Sequence, residues 1–565
     1  MKKIYINAMF AGLGLLALSS CGDDYLNTTP KGSLAAGVSM SGEDAELELN
    51  GCYDGYQQAY CYDGANFQVA SDLMSDDCFA GGGMGDNTDL MAIDNFDKGY
   101  VASSNLMESR WVAYYACINR CNSLIQSEGS ITWTGNDDEN DKDSEEQKKE
   151  KQRNNVIGQA KAIRALCYFD LTRLYGEVPL LTATSVAKVK ESPVADIYEQ
   201  IVSDLKDAAS MIHFGAYKDD TWKSSKNGLI SEWAAKALLA RVYLFYTGYY
   251  GQQLQAVTEA EVKAGLEDII QNGNFKLVDK FARLWPAASR QASADGSHAW
   301  STDDYAGESN SEILFNLKFD SNLSQGTNQN GAVPLISLRN TTFAPYATGW
   351  GVCTVNPQLY STYVEGDSRR DASIINITKE GIANSDKFNS SNDWREYTGY
   401  SIKKYSATGF NDGTRWIEVE NAGAGADWQY KESQDYVVMR YADVLLMAAE
   451  MGCQNAQSDF DQVRDRAFGD ASHRKVLSRE AIFEERRLEF AFEGIRYWDM
   501  LRFKGLEGTA TLLGKQNGVQ ISNGGNTAYM SFDTGKFLET KGLMRKPSNQ
   551  ITLMGSDYLS QNPGW

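Results

Sequence analysis

The chain has only three histidines in 565 residues, His213, His298 and His473, and they lie far apart. No metal-ligand spacing and no nucleophile-and-base arrangement emerges from them. Its nine cysteines include no C-x-x-C pair, which excludes the common zinc-ribbon and thioredoxin-type motifs. Past residue 20 no run of eighteen apolar residues occurs, so no later segment reads as a membrane-spanning helix. Cations are outnumbered, with 54 Lys and Arg against 75 Asp and Glu and a formal charge of -21. Nucleic acid and acidic polymers seek basic surfaces, so this balance disfavours both and suits neutral or cationic ligands. No Pro- or Gly-rich linker divides the chain, and one large body is expected.

What is present begins at the amino end. Lys2 and Lys3 precede an apolar run from Ala8 to Leu18, too short for a permanent span and of the length of a signal peptide. Leu18-Ser19-Ser20-Cys21 resembles a lipobox, in which cleavage exposes the cysteine for acylation. Cys21 is therefore the expected lipid anchor, with residues 1–20 removed and residues 21–40 forming a linker. Asp23 and Asp24 after it resemble a signal for display on the outer face of an outer membrane. Among the other cysteines, Cys117 and Cys121 are four apart on an expected helix and so share a face. Buried thiols are expected, with one or two disulfides left open in an oxidising compartment.

Amphipathic periodicity then predicts helices over 153–175, 194–212, 231–250 and 258–272, and again over 440–451 and 458–468. Alanines at three- and four-residue spacing in 231–250 allow close approach of a neighbouring helix. Paired helices of this length, whose apolar faces are covered only by stacking on the next pair, resemble tetratricopeptide repeats. The expected fold is mainly α, a helical superhelix carrying an irregular, loop-rich lobe. The boundaries are 41–274 for the first helical part, 275–435 for the lobe and 436–565 for the C-terminal part. The insert GNDDENDKDSEEQKKEKQ, 135–152, approaches the acid spacing of a calcium loop but lacks its central glycine and terminal apolar residue, so it reads as a solvated spacer.

Four stretches are more distinctive: EERRLEFAFEGIRYWDMLRF (484–503), RALCYFDLTRLYGEVPLL (164–181), YVVMRYADVLLMAAE (436–450) and KPSNQITLMGSDYLSQNPGW (546–565). With the lipobox and SEILF at 311–315, they resemble the SusD/RagB family of nutrient-binding outer-membrane lipoproteins over essentially the whole chain. The resemblance implies a lid on a SusC-like TonB-dependent transporter that delivers oligosaccharides, or peptides in some members. It also implies a lipid-anchored position on the cell exterior, without cofactor, metal or catalysis. Read as one helix, 484–503 carries Arg486, Glu489, Glu493, Arg496, Asp499 and Arg502 in a loose stripe. Glu489 and Glu493 look like a glycosidase pair, yet each has an arginine one turn away, which favours ion pairing over acid catalysis.

A glycan site combines aromatic faces for sugar C–H surfaces with polar groups for hydroxyls. Two stretches qualify. SDLMSDDCFAGGGMGDNTDL (71–90) resembles the family's first ligand-contact loop and offers Asp76, Asp77 and Asn87, though Ala80-Gly81-Gly82-Gly83 stands where glycan binders of the family often carry tryptophan. TTFAPYATGWGVCTVNPQLYSTYVEGDSRR (341–370) resembles the segment with a stacking tryptophan, which makes Trp350 the leading candidate, flanked by Phe343 and Tyr346. Trp300 and Tyr305 are further candidates. Trp394, Trp416 and Trp428 are assigned to packing. A peptide ligand, held by Asn, Ser and main chain in the same groove, is the alternative.

Overall fold

The structure is a computed structural model that describes residues 40–60, 66–86, 88–100, 107–135, 143–184, 187–218, 228–291, 302–319, 329–385, 388–389, 393–411, 416–418, 429 and 432–565. Cys21 and the rest of the amino-terminal segment lie outside these residues, as do Asn87 and Trp300.

Ten helices of eleven or more residues carry the described body: α1 (Gly42–Tyr60), α2 (Glu108–Ser127), α3 (Glu145–Tyr175), α4 (Val194–Met211), α5 (Glu232–Tyr250), α6 (Glu259–Asn272), α7 (Tyr441–Met451), α8 (Ala456–Phe468), α9 (Arg479–Glu489) and α10 (Arg496–Gly514). Each packs on its neighbour in sequence from α1 through α6, α6 then meets α7, and α7 meets α8. That succession is the expected tetratricopeptide-like stack. The helix starts follow capping chemistry. Ser144 with Gln147 and Thr258 with Glu261 form capping boxes at α3 and α6, and Ser231 and Ser478 cap α5 and α9. In α5, Ala234, Ala235, Ala237 and Ala240 are all buried.

Two expectations are corrected. The insert 135–152 is not loop to its end, because α3 begins at Glu145; the capping box there starts the helix among the charged residues. The stretch 484–503 is not one helix either. It breaks between α9 and α10, where Phe492 and Gly494 take φ of 64° and 67°. Tyr436 donates to the Glu493 carbonyl and the Gly494 N–H donates to Asp72 Oδ1, so the turn is fixed by partners from elsewhere in the chain.

Around this break the interior is ionic. Arg440 pairs with Glu312, Glu489 and Glu493 at 2.5, 3.0 and 2.9 Å. Arg369 reaches Asp367, Glu485 and Glu489, Arg466 reaches Glu312 and Glu489, and Lys404 pairs with Glu493 at 2.7 Å. Burial alone would raise the Glu489 carboxyl, but Arg466, Arg440 and Arg369 hold it well below the usual range. A carboxylate so clamped is not a general acid. Buried networks of this kind fix geometry more than they add stability.

Between α6 and α7 the chain forms short helices and two-stranded ladders. The Ile313–Leu317 strand pairs antiparallel with Tyr436–Arg440, which tethers this irregular part to the start of α7. The seven described cysteines besides Cys21 and Cys61 are buried and unbridged.

Candidate functional site

The strand β1 (Cys78–Gly81) pairs antiparallel with β2 (Val352–Val355), with Gly81 opposite Val352. Past β1 the chain stays between two neighbours. On one side the Gly82 N–H donates to Gly351 O at 2.9 Å; on the other, the Arg395 N–H donates to Gly82 O at 2.8 Å and Met84 N–H to Asp393 O. A third wall comes from a hairpin, β3 (Gln520–Asn523) and β4 (Asn526–Tyr529). Its Gly524 N–H donates to Trp394 O, its Asn523 side chain accepts from Glu396 N–H, and Met84 lies against Gly524.

Arg339 ties these walls together from below. It is buried, and its Nη2 meets Asp393 Oδ2 and Oδ1 at 2.8 and 2.9 Å. Its Nη1 reaches Asp86 Oδ2 at 3.3 Å and the Trp350 carbonyl at 3.2 Å. The two carboxylates remain half open, with side-chain exposures of 57% for Asp393 and 47% for Asp86. Gly81 and Gly83 are steric requirements of this layering: a Cβ at Gly81 would stand 2.5 Å from Gly351 O. A Cβ at Gly83 would stand 2.4 Å from both Arg339 Nη2 and Asp86 Oδ2, closer than atoms tolerate. Trp350 lies half-buried at the rim, its N–H donating to Pro334 O. The arrangement sets two fixed, half-open hydrogen-bond acceptors beside the backbone of Trp350, whose side chain packs in part against the main core.

Of the residues expected from sequence, Trp350 meets this cluster through its backbone carbonyl, which accepts from Arg339 Nη1. Asp76 and Asp77 do not, and they are corrected here: both are buried under β1. Arg496 Nε and Nη2 grip Asp76 at 2.7 and 3.0 Å, and Arg487 meets Asp77 at 2.7 Å. Burial pushes the Asp76 carboxyl up, but Arg487 and Arg496 outweigh it and hold the group low. Tyr346 is also corrected. It is buried with Leu338, Ile375, Ile377 and Trp394 in a small cluster, and its hydroxyl donates to Glu380. Phe343 is half-buried against the same cluster, which supports the Arg339 strand rather than facing outward. Tyr305 is partly exposed with the Arg290 guanidinium 5.7 Å from its ring centre. Asn87 and Trp300 fall outside the described residues, and Trp394 is buried as expected.

Sequence reasoning missed Asp86, Arg339, Asp393, Arg395 and the hairpin. Asp86 stood inside a stretch already singled out, and Arg339 two residues before another. Nothing local joins Arg339 to partners 54 and 253 residues away.

Comparison with known proteins now adds to the geometry. A family model described as the SusD family matches residues 311–565. A second, described as starch-binding associating with outer membrane, matches residues 88–244. SusD-like protein P2 of Formosa agariphila is 27% identical over 512 residues, covering 87% of this chain and 89% of its own. A SusD-like protein of Bacteroides ovatus is 23% identical over 427 residues, covering 70% and 65%. Among solved structures, surface glycan-binding protein A from Bacteroides fluxus matches with a TM-score of 0.70 at 23% identity, over 93% of this chain and 99% of that one. The Bacteroides thetaiotaomicron protein of the same description, in complex with laminarihexaose, matches with a TM-score of 0.69 at 20% identity, over 93% and 100%.

Proposed function

The chain belongs to the SusD-like family, and from that premise we propose that it captures oligosaccharides at the cell surface and passes them, chemically unaltered, to a SusC-like TonB-dependent transporter. The observation that carries the reading is the rim where half-open Asp86 and Asp393 are both held by Arg339, which also takes the backbone carbonyl of half-buried Trp350. A sugar ring stacks its C–H face on the indole, and its hydroxyls donate to the two carboxylates. The laminarihexaose complex of a structural relative supports the ligand class.

Magnitudes fit a handover. One stack of roughly 0.5–1.5 kcal/mol beyond area burial and a few exchanged hydrogen bonds of about 1 kcal/mol each give millimolar to micromolar affinity. Attachment falls to Cys21. Among the described residues no helix is long and apolar enough to cross a membrane, and several acyl chains on one cysteine, at about 0.8 kcal/mol per buried methylene, hold a polar body firmly at an outer-membrane surface.

The test is a panel of oligosaccharides and peptides against the purified protein and its Trp350→Ala variant. We expect at least one oligosaccharide to bind, with affinity falling by about two- to tenfold in the variant, as loss of a stack of roughly 0.5–1.5 kcal/mol implies, while circular dichroism shows the fold retained. Binding of peptides alone would replace this reading with peptide import. Hydrolysis of any panel member would refute a purely binding role.

A further inference from the structure

One buried cation beside the rim is left incompletely used. Arg395 is 4% exposed, and its Nη1 donates to Asp86 O at 2.8 Å. Its Nε and Nη2 have no hydrogen-bond partner. These two nitrogens form one side of the guanidinium, the edge that receives a carboxylate in bidentate fashion. Elsewhere in this same molecule that edge is filled by carboxylates. Arg164 gives Nε and Nη2 to Asp204 at 2.8 and 2.6 Å, and Arg496 gives the same pair of atoms to Asp76 at 2.7 and 3.0 Å.

The carboxyls near Arg395 are engaged otherwise. Asp94 accepts from Ala80 N–H and Glu396 from Gly81 N–H, while Asp86 and Asp393 share Arg339. Over this unpaired, buried edge lies Gly82, itself buried. A Cβ there would meet only Val352 Cγ2 at 3.7 Å and Arg395 Nη2 at 3.9 Å, ordinary contact distances, so the backbone here does not pack tightly on the edge. Buried donors left unmatched cost free energy until something accepts from them.

We propose that the Nε–Nη2 edge of Arg395, beneath Gly82, is the seat for an oxyanion substituent, so that the ligand is an oligosaccharide bearing a uronate carboxylate or a sulfate ester. The inference rests on the reading of this rim as a glycan site and names its ligand class. It also qualifies the expectation, drawn from net charge, that acidic polymers are disfavoured: the overall charge is acidic and Glu396, Asp86 and Asp94 act on Arg395, but the edge itself offers two unmatched donors.

The test has two layers. In the first, thermal unfolding is followed in methyl glucuronate, methyl sulfate and neutral methyl glucoside at matched ionic strength. A bound anion stabilises by mass action, so we expect the melting temperature to rise with glucuronate or sulfate but not with glucoside. The rise should vanish in Arg395→Gln. Gly82→Asp, strained at a φ of 75°, places a carboxylate over the same edge; whatever its own melting temperature, it should lose the anion response. In the second layer, acidic and neutral oligosaccharides of equal length are compared. We expect about a tenfold preference for the acidic member, as a bidentate charge-assisted pair implies, collapsing to near unity in Arg395→Gln. Which anion acts separates carboxylate from sulfate as the natural substituent. An equal response to glucoside, or an anion response that persists in both variants, overturns the seat. If neutral oligosaccharides bind in a Trp350-dependent way while anions do nothing, only this inference falls. If anions act through Arg395 while no glycan binds, the seat stands and the glycan reading falls.

Discussion

Asp459 is a residue whose surroundings work against it. It lies buried in the first turn of α8, with Gln462 donating to it at 3.3 Å and no cation paired to it among the ion pairs of the described residues. Burial, and then Glu267 nearby, push its carboxyl from 3.8 up to about 6. The folded state therefore holds a proton more tightly than the unfolded chain between those values. Stability falls as pH rises through that window, the penalty is complete above about 6, and it is absent below about 3.8. Asp459→Asn removes the charge and keeps the acceptor, so we expect it to stabilise the protein at pH 7 by about 1–3 kcal/mol, given about 1.4 kcal/mol per unit. Below pH 4 the gain should vanish, and paired melts at pH 7 and pH 3.5 check both halves. An advantage of equal size at both values would mean that the carboxyl is not the cause. Asp76 carries the converse lesson. In sequence, two adjacent acids in a loop look like ligand donors, but Arg487 and Arg496, over 400 positions away, consume them. Pairing at such separation leaves no local trace.

Elements were legible where an apolar period runs up to a definite boundary, a capping Ser231 or Thr258 for α5 and α6 and Pro193 for α4. Helices α4, α5 and α6 match the expected spans to within a residue or two, because each has an apolar stripe and a definite start. The break between α9 and α10 was not legible, since the apolar spacing of Leu488, Phe492, Ile495 and Trp498 continues straight through it. Tertiary partners impose it, and Gly494 makes it affordable. At φ 67° an added Cβ would stand 3.2 Å from the Tyr436 hydroxyl. We expect Gly494→Ala to cost about 1–3 kcal/mol from backbone strain, read as a lower denaturant midpoint. Because the turn seats Arg496, which clamps Asp76 under β1, the loss should be shared by the β1 wall. Faster amide exchange at Cys78–Gly81 in the variant would register that, and a midpoint equal to the parent's would show that the turn tolerates a side chain. The hairpin β3–β4 was missed for another reason: it lies in sequence outside the 275–435 lobe that was expected to hold the ligand, yet it walls the same rim through Trp394 and Glu396.

At the scale of the whole molecule, two charge patterns oppose each other. The chain carries a formal charge of -21, and such a field repels an acidic glycan at long range, whereas Arg395 and its unpaired edge act only on contact. Salt distinguishes the two. Exposed charges separated by more than a Debye length are screened at physiological ionic strength, while a buried pair is screened much less. The approach of an acidic oligosaccharide should therefore quicken as salt rises from about 10 mM to about 150 mM, across which the Debye length shrinks from about 30 to about 8 Å. A neutral oligosaccharide of the same length should show a nearly flat rate. Stopped-flow or surface-based association rates over that series provide the measurement. A rate that falls steeply with salt would mean that the rim presents a net positive face to approaching ligand, and that the acidic surface of the rest of the molecule plays no part in selection. A rising rate that persists in Arg395→Gln, together with faster release, would assign approach to the whole molecule and retention to the one guanidinium.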